Sequence, residues 1–193
     1  MRPAIFFDRD GTLNEEVGYA GRPEQFHILS FAAAAVRWVN QAGWAAVLVS
    51  NQAGVARGYF TEGDVGILHG LLRDHLQSAG AHLDGIYYCP HYAGGTVAGY
   101  DRACSCRKPQ PGMLQKAARD LGLDLYASWM IGDRRHDIAC AHAVGARAVL
   151  VRTGYGESSL AEPPSPDQDD VPDRVSSDAA AAVNWILAAS SKR

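Results

Sequence analysis

This chain has no run near the roughly 20 consecutive apolar residues that a bilayer-spanning helix takes, so insertion in a membrane is not expected. It also lacks a basic excess. With 18 Lys and Arg against 21 Asp and Glu, the formal net charge is -3, whereas a nonspecific nucleic-acid surface needs clustered cations facing phosphates. A small anionic substrate stays open, because a few local arginines outweigh a weakly negative whole. There is no internal repeat, and the tryptophans (Trp38, Trp44, Trp129 and Trp185) are too scattered for a stacking platform. Cysteine is scarce, at four residues. The chain opens Met1-Arg2-Pro3 and runs straight into a predicted strand, so no secretory leader is expected. The expected location is the reducing cytoplasm, where clustered cysteines hold metal more often than they pair.

At 193 residues, with 47% hydrophobic and 20% charged residues, the chain fits one globular domain over 1–193 and is expected to act as a monomer. Short apolar runs at 4–7, 45–49, 85–88, 128–131 and 146–151 read as strands. Their apolar character is nearly continuous, which suits strands covered on both faces. Helical stretches fall at 32–42, 62–79, 111–121, 137–144 and about 178–188. This alternation predicts a three-layer α/β fold with a mostly parallel sheet. Thr61, followed by Glu62 and Asp64, suits a helix start. Residues 90–109 form an irregular insertion, and 155–175, rich in Pro, Ser and Asp, is expected to be mobile.

Four segments carry candidate chemistry. Asp8 and Asp10 sit at the end of the first strand, where a spacing of two puts them on one side. Such carboxylates repel unless a cation or a shared proton lies between them, and magnesium is a hard, oxygen-seeking occupant. The plainer alternative is a turn, which Asp-Gly favours. Ser50 and Asn51 end the second strand, offering a hydroxyl and an amide to phosphate oxygens, or simply a cap. Lys108 lies between Arg107 and Pro109, placed to neutralise a phosphoryl group and its nucleophile, or to be part of a solvated basic loop. Asp133 follows another apolar strand and completes a magnesium site, while Asp137 caps the next helix or steadies the metal's water shell. All four segments fall at strand–loop–helix junctions, and the carboxyl ends of parallel strands are where such residues converge.

A separate pattern is Cys89-Pro90-His91 followed by Cys104-Ser105-Cys106. Three sulfurs and one nitrogen close a tetrahedral zinc site with no open position, which makes the ion structural. A disulfide is the alternative, but Cys104 and Cys106 are poorly placed to pair with each other. A zinc clip over 89–109 would hold Arg107 and Lys108 at the crevice. Cys140 reads as a small buried hydrophobe, and no partner spacing recommends His136 or His142 as ligands.

Taken together, Asp8-x-Asp10-Gly11-Thr12, Ser50, Lys108 and Gly132-Asp133-x-x-x-Asp137 resemble the haloacid dehalogenase-like hydrolase superfamily over roughly residues 4–153. The stretches 8–14, 50–58 (SNQAGVARG), 85–91 (GIYYCPH) and 104–113 (CSCRKPQPGM) are similar to a branch acting on small phosphorylated sugars. The resemblance implies a Rossmann-like phosphatase domain without a cap. It makes Asp8 the nucleophile and Asp10 the general acid and base. Asp8, the Asp10 backbone carbonyl and Asp133 hold magnesium, Ser50 and Lys108 grip the phosphoryl group, and the cysteine loop binds zinc. The basic patch Arg134-Arg135-His136 departs from the family's usual form. Arg57, Arg107 and Arg134 are the candidates for a second phosphate or sugar hydroxyls, since arginine's fork makes two-point contacts. A zinc-stabilised binding module without catalysis is the reading from another class. The joint presence of Asp8, Asp10, Lys108 and Asp133 weighs against it.

Overall fold

A computed structural model describes residues 1–190. Six strands form one sheet: β1 (Ala4–Phe7), β2 (Ala45–Asn51), β3 (Gly85–Cys89), β4 (Trp129–Gly132), β5 (Arg147–Val151) and β6 (Arg174–Ser176). Their order is β3-β2-β1-β4-β5-β6, and every neighbouring pair is parallel, so the sheet is wholly rather than mostly parallel. This is the doubly wound order in which connections leave β1 in opposite directions, opening a crevice at the carboxyl ends of the strands.

Alternation along the strands feeds two apolar layers. Ile5, Phe7, Ala46 and Leu48 point to one face, packed by α1 (Ala32–Gln41), α3 (Glu62–Ser78) and α7 (Ala179–Ser190) through Val36, Val39, Leu68, Leu72, Leu76, Val183 and Ile186. Ala4, Phe6, Val47 and Val49 point to the other, covered by Met113, Leu114 and Ala117 of α4 (Gly112–Leu121) and Ile138 and Cys140 of α5 (Arg135–His142). Leu68, Leu72 and Leu76 recur every four residues along one face of α3 and are fully buried, each stabilising by about 1.5–3 kcal/mol relative to exposure. Cys140 is buried as expected.

The start of α3 is a reciprocal cap. The Asp64 amide donates to Thr61 Oγ1 at 3.2 Å, and the Thr61 amide donates to Asp64 Oδ2 at 2.7 Å. Two orphan amides of the first turn are thereby satisfied. At the other end of α4, Gly122 adopts φ 65°, a left-handed stop that a side chain would strain.

Sequence periodicity missed the short elements. α2 (Ala53–Ala56) and a 3-10 turn at Pro23–Gln25 are too brief to show a period. The 155–175 stretch also carries regular structure, with α6 (Gly156–Ala161) near its start and β6 at its end. Its Pro- and Asp-rich composition hid both. Tertiary anchors stand where local propensity is weak: Arg135 donates to the carbonyls of Asp170 and Glu162, and His142 reaches Asp169 and Asp173. No helix among the described residues is long and apolar enough to cross a membrane.

Candidate active site

The ends of β1 and β2, the turn after β4 and the loop before α4 deliver their side chains to one place. Asp8, Asp10, Ser50, Asn51, Gln52, Arg107, Arg134 and His136 line a crevice of about 200 Å³, with Glu16, Tyr19 and Tyr155. Lys108 lies at its floor, 2% exposed. Its ammonium sits 2.6 Å from Asp137 Oδ1 and 2.8 Å from Asp8 Oδ1, and donates to the Val49 carbonyl at 2.9 Å. A buried ammonium is costly without such partners. Burial pulls the Lys108 pKa down, but Asp137 and Asp8 outweigh it and raise it above the usual ammonium range. Burial conversely lifts the Asp8 pKa, with Asp137 adding and Lys108 opposing.

Asp10 meets a different environment. Its Oδ1 accepts from Arg9 Nη2 and Asn14 Nδ2, each at 2.9 Å, and its Oδ2 accepts from Gln52 Nε2 at 3.0 Å. Burial raises the Asp10 pKa, yet the Arg9 charge and these hydrogen bonds overcome it and hold the group below the ordinary carboxylate range. Ser50, 1% exposed, has its Oγ 2.8 Å from Gln52 Nε2, which donates to it. Asn51 is turned toward the backbone of Lys108.

Asp133 is fully buried. Its Oδ2 accepts from the Tyr155 amide at 2.7 Å, and its carbonyl accepts from Ser159 Oγ at 2.9 Å. Its Oδ1 has no hydrogen-bond partner among the described residues. Burial, then repulsion from Asp8 and Asp137, pushes its pKa up to about 8. Burial and the neighbouring carboxylates disfavour its ionised form, which a cation beside it would favour. Glycines leave it room: a Cβ at Gly11 or Gly154 would overlap Asp133 Oδ2. The free Oδ1 and the carboxylate oxygens of Asp133 and Asp8, close enough to repel one another, fit magnesium.

Asp8, His136 and Asp137 also bring ligand-capable atoms within 4.8 Å of one another, a grouping for which the spacing of His136 provided no signal. The Lys108 ammonium already bridges the two carboxylates of that trio. Burial and then Lys108 push the His136 pKa down to about 3, so its imidazole is neutral. Asp137 Oδ2 accepts from the Arg134 amide at 3.1 Å. It therefore caps α5 and orients Lys108 at once.

The three candidate arginines separate. Arg107 and Arg134 line the crevice, whereas Arg57 is not among its lining residues. The Arg57 guanidinium stacks 4.2 Å from the Tyr92 ring, and Arg107 lies 5.0 Å from the same ring. Arg134 stacks on Tyr155 at 3.6 Å and stands 3.8 Å from Glu16.

Cys89, His91, Cys104 and Cys106 converge with their ligand atoms within 4.8 Å. His91 Nε2 lies 2.8 Å from Arg102 Nη2, which leaves Nδ1 facing the sulfurs, 3.5 Å from Cys106 Sγ and 3.7 Å from Cys89 Sγ. With all three cysteines reduced, the donor set would fit a structural zinc with no open position. One expectation needs correction: Cys104 and Cys106, judged poorly placed to pair, are joined by a disulfide. Convergence of the four residues brings their sulfurs together, and zinc ligation would require the reduced pair.

Gln52, Arg9, Asn14, Glu16 and Tyr155 were not singled out from sequence. Gln52 had a usable signal, since it lies two residues beyond Ser50 and so shares its side of the chain. Tyr155 and Glu16 had none, because only tertiary folding brings them to β4 and β1.

A HAD-hydrolase-like family model matches residues 105–178. The D-glycero-D-manno-heptose-1,7-bisphosphate 7-phosphatase of Thermosynechococcus vestitus is 46% identical over 96% of this chain and 95% of its own length. The D-glycero-beta-D-manno-heptose-1,7-bisphosphate 7-phosphatase of Yersinia pestis is 46% identical over 79% of this chain and 81% of its own. Among solved structures, the D,D-heptose 1,7-bisphosphate phosphatase of B. bronchiseptica, complexed with magnesium and phosphate, superposes with a TM-score of 0.85 at 33% identity. It covers 97% of this chain and 99% of its own.

Proposed function

This chain belongs to the HAD-like hydrolases, and we propose that it is the magnesium-dependent phosphatase that removes the 7-phosphate of D-glycero-D-manno-heptose 1,7-bisphosphate. The observation that carries the reading is the pairing of a buried Lys108 ammonium with Asp8, near a buried Asp133 carboxylate whose Oδ1 has no hydrogen-bond partner among the described residues.

The chain's own residues account for the chemistry. Ionised Asp8 attacks phosphorus in line, forming an acyl phosphate as the ester P–O bond breaks. The departing sugar oxygen is a poor leaving group, so Asp10 protonates it. Water then attacks the same phosphorus, Asp10 takes its proton, and the Asp8 carboxylate returns as phosphate leaves. The resting Asp10 is held as an anion. An incoming phosphate dianion raises its pKa by like-charge repulsion, which opposes the hold of Arg9, so Asp10 takes up a proton from solvent as substrate binds and is the acid when the ester bond breaks. Lys108 offsets the repulsion between Asp8 and the phosphoryl group, and Ser50 donates to that group. Bound at Asp8, Asp133 and the Asp10 carbonyl, magnesium would supply Lewis-acid neutralisation of phosphoryl charge.

The crevice, at about 200 Å³, is smaller than the roughly 300–1,000 Å³ that encloses a drug-sized ligand. It takes one phosphoryl end, and the rest of the sugar lies outside. Arg107 and Arg134 line the crevice and suit the second phosphate, whereas Arg57 stacks on Tyr92 beside it. Zinc at Cys89, His91, Cys104 and Cys106 is structural and fixes the loop that ends in Arg107 and Lys108. Ligation needs thiolates, which the reducing cytoplasm preserves.

Histidinol-phosphate phosphatase is the rival within the class, having a similar zinc loop. The segment SNQAGVARG and the heptose relatives favour the bisphosphate sugar. The test compares kcat/KM for both heptose bisphosphate anomers and histidinol phosphate, with phosphorus NMR reporting the ester cleaved. Loss of the 7-phosphate with the anomeric phosphate intact is expected, and Asp8→Asn is expected to abolish turnover. A tenfold preference for histidinol phosphate would overturn the substrate.

A further inference from the structure

We propose that Gln52, oriented by Arg9, is a positioning residue that couples the phosphate-gripping hydroxyl of Ser50 to the acid–base carboxylate of Asp10. One side-chain amide touches both. Gln52 Nε2 donates to Ser50 Oγ at 2.8 Å and to Asp10 Oδ2 at 3.0 Å, using its two hydrogens on two different catalytic groups. Arg9 Nη2 donates to Gln52 Oε1 at 3.2 Å, which settles the amide's orientation: its oxygen faces the guanidinium and its nitrogen faces the pair. Arg9 and Gln52 are 0% and 3% exposed, so the contact between them is shielded from bulk water.

The arrangement has two chemical consequences. Because Ser50 Oγ accepts from Gln52, its own hydrogen is left to point into the crevice, where phosphoryl oxygens bind. Asp10 is held by Gln52 on Oδ2 and by Arg9 and Asn14 on Oδ1, which fixes its carboxylate beside that hydroxyl's partner. A phosphate seated on Ser50 therefore presents its ester oxygen to an acid whose position is set from the same amide. Such placement is where orientation contributes most to rate. Arg9, stacked 5.4 Å from the Phe26 ring and ion-paired to Asp10 at 2.9 Å, anchors the chain of contacts in the core.

The inference rests on the reading of Asp10 as acid and base, and the experiment separates the two. Gln52→Glu keeps the shape and the acceptor for Arg9 but removes both donations. Gln52→Ala removes the contacts altogether, and either variant carries the test if the other fails to fold. Each is assayed against heptose bisphosphate and against an aryl phosphate, whose leaving group needs little protonation. Both substrates should lose some rate through Ser50. The sugar phosphate should lose about tenfold or more beyond that, in kcat rather than KM. In an Asp10→Asn background this excess should vanish, because the two residues act as one unit. Equal losses on both substrates, or an excess that persists undiminished without the Asp10 carboxylate, would overturn the proposal. If Asp10→Asn alone shows no bias against the sugar phosphate, the acid–base reading fails instead.

Discussion

Asn51 and Lys108 exchange a pair of hydrogen bonds: the Lys108 amide donates to Asn51 Oδ1 at 3.0 Å, and Asn51 Nδ2 donates to the Lys108 carbonyl at 3.0 Å. A side chain expected to bind phosphate thus clamps the backbone that presents the ammonium, although it also lines the crevice. Asn51→Ala should lower kcat about 10- to 100-fold through displacement of Lys108, since misplacement of about 1 Å costs that order of rate. Steady-state kinetics against an aryl phosphate checks this. Retention of wild-type kcat would show that the clamp is dispensable.

Asp133 depends on the absence of a side chain at Gly154, which holds φ 56° against it. Gly154→Ala should push the carboxylate aside and strain the turn. A roughly 10- to 100-fold rise in the magnesium concentration for half-maximal activity is expected, with smaller changes in KM at saturating metal. A magnesium titration of the variant that overlays the wild type would exclude this support of the metal site.

The cysteine loop should hold about one zinc per chain in protein purified under reducing conditions. Replacing Cys104 and Cys106 with serine should release the ion, lower Tm and reduce activity by loosening Arg107 and Lys108. Elemental analysis and a thermal melt measure both effects. A zinc-free preparation with reduced cysteines and an unchanged Tm would refute the assignment.

His142 ties α5 to the segment before β6, with Nε2 at 3.0 Å from Asp173 Oδ2 and Nδ1 at 3.2 Å from Asp169 Oδ1. Burial lowers its pKa, but the hydrogen bond to Asp173 and the contacts to Asp169 outweigh it, so the folded value lies above the ordinary one. A raised cationic pKa stabilises the fold below the unfolded value, near 6.5, and the contribution is lost as pH rises through the folded pKa. His142→Gln should therefore cost more stability at pH 5.5 than at pH 9, by at most about 1 kcal/mol for a solvent-screened pair. Urea melts at the two pH values decide it. A pH-independent difference would assign the contact to packing alone.

Local pattern in the chain located five of the six strands and drew attention to Asp8, Asp10, Ser50, Lys108 and Asp133 at junctions, because alternation and junction chemistry are written in neighbouring residues. The family resemblance supplied their roles. The four metal-capable residues at 89–106 were legible for the same reason: ligand spacing within short segments is local. What the sequence could not determine depends on partners far along the chain. Tertiary structure decided that Asn51 faces Lys108, that Tyr155 closes on Asp133, that Arg57 stacks beside the crevice rather than lining it, and that 155–175 holds a helix and a strand. Those outcomes follow from where burial leaves a polar group in need of a partner, and a buried donor or acceptor is satisfied by whatever the packed sheet brings near, at any separation in sequence.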